Sequence, residues 1–298
     1  FDKNTGVQNS LYYEEIQYDA SGIQVSSVNY AQNYDKHDGR KVADTVTRTT
    51  FDGNEDVSTT TTESVSYNRR NIMMGAAGTF GGIGGYPVVT FDFMPGALGG
   101  VSAPVGVSGV SSTTTTYNNG DPASARTSSV SYSSAGFRSQ ESTQNMLYDA
   151  IGDQVSSNSH STSYRKDQVV TSTSDSETYY NQGDPVSAHT HGSNFDPDNS
   201  SNNSQFTSDL FYNNLGDPDR SYTADQKAGG ATATDSVYIN GEMYKSMNIS
   251  GQEGKAMSYS ETFYYDGEPT GTPMTFSAPS AGGFYNVATT YASFATGD

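Results

Sequence analysis

The run QVVTSTSDSETYY (168–180) alternates with a period of two, yet neither face that this period defines is apolar. One face reads Val169, Thr171, Thr173, Asp175, Glu177 and Tyr179; the other reads Val170, Ser172, Ser174, Ser176, Thr178 and Tyr180. Val, Thr and Tyr suit a pleated surface, and cross-strand Thr and aromatic pairs each contribute roughly 0.2–1 kcal/mol. The pattern predicts strands held by backbone pairing and same-face neighbours, with little aliphatic core.

Turn signals divide these runs at regular intervals. YDASGIQVSS (18–27) and YDAIGDQVSS (148–157) are nearly the same ten residues. Related segments are FDGNED (Gly53), GGYPVV (Gly85), YNNGDPAS (Gly120), YYNQGDPVS (Gly183), FYNNLGDPD (Gly216), YINGEM (Gly241) and YYDGEPTG (Gly267). From Gly22 to Gly267 the steps are 31, 32, 35, 32, 31, 33, 25 and 26 residues. Asp or Asn before Gly supplies the positive φ angles of a tight turn, and a following Pro stops pairing there. Weaker turn signals lie between the glycines: DKHDG (35–39), SSAG (133–136), RKD (165–167), FDPD (195–198) and KAGG (227–230). Each unit of about 32 residues thus reads as a β-hairpin, repeated about nine times. The expectation is an all-β fold of tandem antiparallel β-hairpins, one repeat domain over 1–298, in an extended or spiralling sheet.

Aromatic residues gather just before the glycine turns: Tyr18, Phe51, Tyr117, Tyr148, Tyr180, Tyr212, Tyr238 and Tyr265. In register they would form an aromatic seam along one rim. A second series, Tyr34, Tyr67, Tyr132, Tyr164 and Phe195, follows half a repeat away. On YDASGIQVSS and YDAIGDQVSS, with looser echoes elsewhere, the repeat resembles the YD-repeat (RHS-repeat) family. That resemblance implies long spiralling antiparallel sheets of the kind found in cell-surface proteins and toxin shells.

Two segments leave this texture. Residues 72–110 are apolar and glycine-rich, and are read as a better-packed core or folded loop, with a subunit contact as the alternative. Residues 276–298 read as a C-terminal cap or a segment donated to a neighbour.

Charge narrows the partners. Fifteen basic residues against 33 acidic ones give a net charge of −18, which repels nucleic acid and anionic lipid. There is no cysteine, so disulfides and thiolate chemistry are excluded. No run of 18 apolar residues exists, so no helical membrane span is expected.

No catalytic signature is present: no GxSxG, P-loop or HExxH, and GTFGGIGG (78–85) lacks the context of a dinucleotide site. The chain is read as a non-enzyme. Asp121, Asp153, Asp184 and Asp217 recur at one repeat position and are read as turn residues that satisfy backbone amides. Calcium is the candidate ion, at Asp196, Asp198, Ser200 and Asn202, where oxygen ligands alternate in FDPDNSSNN. His189 and His191 share a strand face, and His160 lies two strands away; they are read as exposed strand histidines, with a shared metal site as the alternative. Asn199, Asn202 and Asn248 begin N-glycosylation sequons.

A repeat sheet with few lysines leaves two edges that can template another chain. The sequence therefore points to an extracellular or cell-surface structural subunit, a homopolymer joined through sheet edges or terminal segments into a fibre, sheath or layer. An adhesin or stalk that offers its aromatic seam to glycans is the alternative.

Overall fold

The structure is a computed structural model and describes residues 10–35, 40–67, 106–252, 257–266 and 268–278. Its first eight strands are β1 (Ser10–Tyr18), β2 (Gln24–Tyr34), β3 (Lys41–Phe51), β4 (Val57–Tyr67), β5 (Val107–Asn118), β6 (Asp121–Tyr132), β7 (Arg138–Tyr148) and β8 (Gln154–Tyr164). The others are β9 (Val170–Asn181), β10 (Asp184–Asn194), β11 (Ser204–Tyr212), β12 (Pro218–Lys227), β13 (Gly230–Ile239), β14 (Glu242–Gln252), β15 (Met257–Tyr265) and β16 (Glu268–Ala278). A 3₁₀ turn, Ser200–Asn202, precedes β11. The strands hydrogen-bond in chain order as one sixteen-stranded sheet, so the all-β expectation of tandem antiparallel hairpins holds. The expected hairpin at Gly85 and the segment 72–110 lie largely outside the described residues, as does most of 276–298.

Two compact units share this sheet: β1–β7 with the end of β8, and the start of β8 with β9–β16. In the first unit, the register lines up Asn29, Thr47, Thr62, Thr113, Thr127 and Gln144 across β2–β7. Hydroxyl pairs close along the row, Thr47 with Thr62 at 3.1 Å and Thr113 with Thr127 at 2.9 Å. The opposite face carries Gln32, Asp44, Val65, Val110, Val130 and Glu141 in register. There Val65, Val107 and Tyr132 are buried against Tyr67, Val110 and Val130.

The second unit repeats the scheme. Ser176, Thr190, Ser208, Thr223, Thr234, Asn248 and Ser260 form its polar row across β9–β15. On the other face Ala233 and Ile249 pack with Tyr222, Ala224, Met257 and Tyr259. Beside them Asp235 is 1% exposed and accepts two hydrogen bonds from Arg220, Nε at 3.0 Å and Nη2 at 2.7 Å.

The turns explain the repeat more exactly than its glycines do. At Asp19, Asp52, Asp149 and Asn213 the side-chain Oδ1 accepts amides two and four residues on, closing a four-residue turn. The third residue after that cap takes positive φ: Gly22, Glu55, Gly152 and Gly216. At the FDGNED rung the strained position is therefore Glu55 (φ 67°), not Gly53. Two-residue turns, Asn119-Gly120, Gln182-Gly183 and Asn240-Gly241, have positive φ at both positions. The reading of Asp153 and Asp217 as amide-satisfying residues is corrected in part. Their own N–H groups donate to Asp149 and Asn213, because the cap precedes the glycine. Asp121 and Asp184 instead open strands β6 and β10.

Gly192 sits mid-strand in β10, opposite Ser174 and Phe206. A methyl group there would come within 2.3 Å of the Thr173 carbonyl oxygen and 2.5 Å of the Phe206 ring. Gly192→Ala is expected to cost roughly 1–3 kcal/mol by overpacking, read as a lower urea midpoint. An unchanged midpoint would refute the close approach. Asp235→Ala, which removes two charge-assisted hydrogen bonds from the partly exposed Arg220, is expected to cost about 1.5–3 kcal/mol. The Arg220→Met/Asp235→Leu double variant should recover most of that in the same denaturation assay.

Candidate functional site

Strand β1 pairs with β2 along its full length and, among the described residues, has no partner on its other side. All nine of its residues, SLYYEEIQY, are exposed. The period of two places Leu11, Tyr13, Glu15 and Gln17 on one face and Tyr12, Glu14, Ile16 and Tyr18 on the other. Apolar side chains thus stand on both sides of the edge, with Tyr12 62% and Tyr18 59% exposed. Two contacts fix the strand's tyrosines: the Tyr12 hydroxyl donates to Asn29 Oδ1 at 2.6 Å, and the Tyr13 and Tyr30 rings lie 5.9 Å apart. Neither Pro nor Lys occurs in β1. At the opposite end β16 contains Pro269 and Pro273, which have no N–H to offer a further strand.

The predicted seam residues lie at the turn rim, but not as a free aromatic surface. Tyr18 and Tyr265 are exposed, whereas Phe51, Tyr117, Tyr148, Tyr180, Tyr212 and Tyr238 are half-buried. Sequence spacing missed why they sit there: most stand at a break in strand register. The pairing shifts at Tyr18, Phe51, Tyr117, Tyr180, Tyr212 and Tyr238, where the facing strand carries one extra residue. Tyr34, Tyr67 and Tyr132 mark the same irregularity at the other rim.

That second series has polar partners no sequence signal singled out. Asp44, almost wholly buried, lies 3.2 Å from Lys41 Nζ and accepts the Tyr67 hydroxyl at 2.6 Å. Glu141 accepts from Arg138 Nη1 at 2.9 Å and from the Tyr164 hydroxyl, while the Arg138 guanidinium stacks 4.0 Å above the Tyr164 ring. The spacing repeats: acid three residues after the cation, tyrosine 23 after the acid. These trios flank the Val65–Val110–Val130 row on either side. They border a small apolar patch with paired charges.

Asp196, Asp198, Ser200 and Asn202 fall in the loop between β10 and β11. The Asp196 carboxylate accepts the amides of Asp198 (3.0 Å) and Asn199 (3.1 Å) and the Asn202 side-chain amide (2.7 Å). Its oxygens thereby hold the loop's own shape. No group of three or more His, Asp or Glu poised for a metal occurs among the described residues. Asn199 and Asn202 are exposed in this loop, and Asn248 is exposed on β14.

No family model matches the chain, and no curated protein matches it. Among solved structures it is similar to a porin-like protein from Bacteroides uniformis, at 9% identity over 90% of this chain and 94% of that one. The TM-score is 0.20, too low to establish a shared fold.

Burial raises the pKa of Tyr34, Tyr67, Tyr132, Tyr164, Tyr222 and Tyr259 above the ordinary 10.0, and neighbouring carboxylates reinforce this at all of them except Tyr132. Because the folded values lie above the unfolded one, their contribution is complete below pH 10.0 and is lost as pH rises through the folded values. Melting temperature is expected to fall above that pH, with part of the tyrosinate absorbance appearing only as the sheet unfolds. A single reversible titration of all tyrosines with unchanged melting would contradict this.

Proposed function

We propose that the protein is an extracellular structural subunit that self-associates through the edge strand β1, as part of a fibre, sheath or surface layer. The exposed apolar edge carries this reading. A long edge strand without Pro or Lys, and with no covering element among the described residues, is a template for another strand, and soluble proteins ordinarily blunt such edges. β1 carries only Glu14 and Glu15 against pairing, both on a strand whose other positions favour it. The likeness to YD repeats bears on architecture and is consistent with a cell-surface setting.

The net charge of −18 opposes close approach of copies, so ionic strength becomes part of the mechanism. Screening shortens that repulsion to a Debye length of about 8 Å at physiological salt. Backbone pairing and apolar contact at β1 then act at short range. A glycan-binding stalk is the second reading, favoured by the exposed Tyr12, Tyr18 and Tyr265.

Sedimentation velocity and negative-stain microscopy test the assembly. The wild-type protein is expected to associate with rising concentration, more strongly at about 0.15 M salt than at 0.01 M. Leu11→Lys/Ile16→Lys should remain monomeric with unaltered circular dichroism. A wild-type protein that stays monomeric at high concentration would overturn the reading, and saturable binding of that monomer to a glycan array would favour the stalk.

A further inference from the structure

The register of the first unit carries an apolar row out to the edge strand. Val46, 1% exposed, lies opposite Tyr30, and Tyr30 lies opposite Tyr13 of β1. The direction of the edge backbone follows from the turn that leaves β1. The Asp19 N–H donates to the Ile23 carbonyl at 2.8 Å, so Asp19 pairs toward β2. Antiparallel residues alternate in direction, and the extra residue at the nearby register break, Val25, lies on β2. Leu11, Tyr13, Glu15 and Gln17 therefore turn their backbone groups to β2, while Tyr12, Glu14, Ile16 and Tyr18 turn theirs outward. At β16, Glu268 pairs inward with Tyr265 across the last hairpin. The same alternation sets Pro269, which has no N–H, on the outer side.

We propose that the partner of the β1 edge is β1 of a second copy, antiparallel about a two-fold axis at Tyr13. This rests on the reading of β1 as the associating edge and names what it pairs with. A contact between β1 and β16 would meet Pro269, whereas two β1 strands offer each other outward N–H and C=O groups. Such a pairing matches outward residues with outward residues, so the axis passes through a residue.

Charge chooses which one. An axis at Glu14 or at Glu15 places that carboxylate directly opposite its own copy, and like charges directly opposite are destabilising. An axis at Tyr12 pairs only 10–14 and leaves Ile16 outside. The axis at Tyr13 pairs Ser10–Ile16, with Glu14 opposite Tyr12, Glu15 opposite Leu11 and Ile16 opposite Ser10. Tyr13 then faces Tyr13 of the second copy, and the Val46–Tyr30–Tyr13 row runs on into its counterpart. The contact is isologous and closes at two chains, so a fibre or layer is built from such pairs through other surfaces.

Disulfide trapping in the full chain tests this, since the chain has no cysteine of its own. Facing residues of a non-hydrogen-bonded pair have Cα atoms about 4.5 Å apart, within disulfide reach. Under mild oxidation, at concentrations where the wild type associates in sedimentation velocity, Tyr13→Cys is expected to give a two-chain product. It should form at least about tenfold faster than with Leu215→Cys, at an exposed turn outside β1, because pairing raises the local thiol concentration. Glu15→Cys alone should resist trapping, since its two copies stand four residues apart, about 14 Å. Mixed with Leu11→Cys, it should cross-link to that chain. Circular dichroism under reducing conditions verifies that each variant is folded. Wild-type association without trapping, both at Tyr13→Cys and in the Leu11→Cys and Glu15→Cys mixture, would overturn this pairing and leave association through β1 standing. A wild type that stays monomeric would overturn both.

Discussion

Hydrogen bonding between consecutive strands is the constraint on which the other features depend, because the faces of this sheet bury too little to hold it. The buried apolar residues of the described chain are few: Val46, Val65, Val107, Ala125, Tyr132, Ala233 and Ile249. A lone hairpin is marginal in water, and each added strand gains ladder bonds and same-face neighbours at the cost of ordering its backbone. Repetition resolves the balance: among the described residues every interior strand is paired on both sides, and the terminal strands β1 and β16 on one. Stability then accumulates strand by strand, as in other repeat architectures.

This constraint explains the chemistry of the faces. Where no second layer covers a sheet, side chains must tolerate water and still favour a pleated backbone. Ser and Thr do both, and along these rows Thr47 with Thr62, Thr113 with Thr127 and Ser176 with Thr190 pair hydroxyls within the protein. Where apolar patches form, charged pairs border them. Asp44 and Asp235 are almost wholly buried and Glu141 is partly exposed, and each is matched by a cation three residues away or on the adjacent strand. Such a pair contributes little net stability, yet a mismatched partner is costly. These pairs therefore favour one strand register over its neighbours.

Register also sets what meets on the sheet surface. Among the described residues the ladder stops at β1, whereas it is continuous through β8–β10, where His160, Asp175 and His191 come side by side.

The sequence alone determined the strands, their alternation and the repeat, since turn chemistry and period-two texture are local properties. It also located the tyrosines at the rims and put His189 and His191 on one face. It did not reveal that Asp19, Asp52 and Asp149 are the turn caps, and aligning on glycine misplaced the strained residue at Glu55. Nor could spacing find the Lys41–Asp44–Tyr67 and Arg138–Glu141–Tyr164 trios, whose members meet only after neighbouring strands pair. The register breaks that seat the tyrosines, the burial of Asp235 beneath Arg220 and the one-sided pairing of β1 among the described residues were decided by tertiary structure. Each depends on which residue lies opposite which, or on whether anything lies opposite at all, and a one-residue slip would change every one of them.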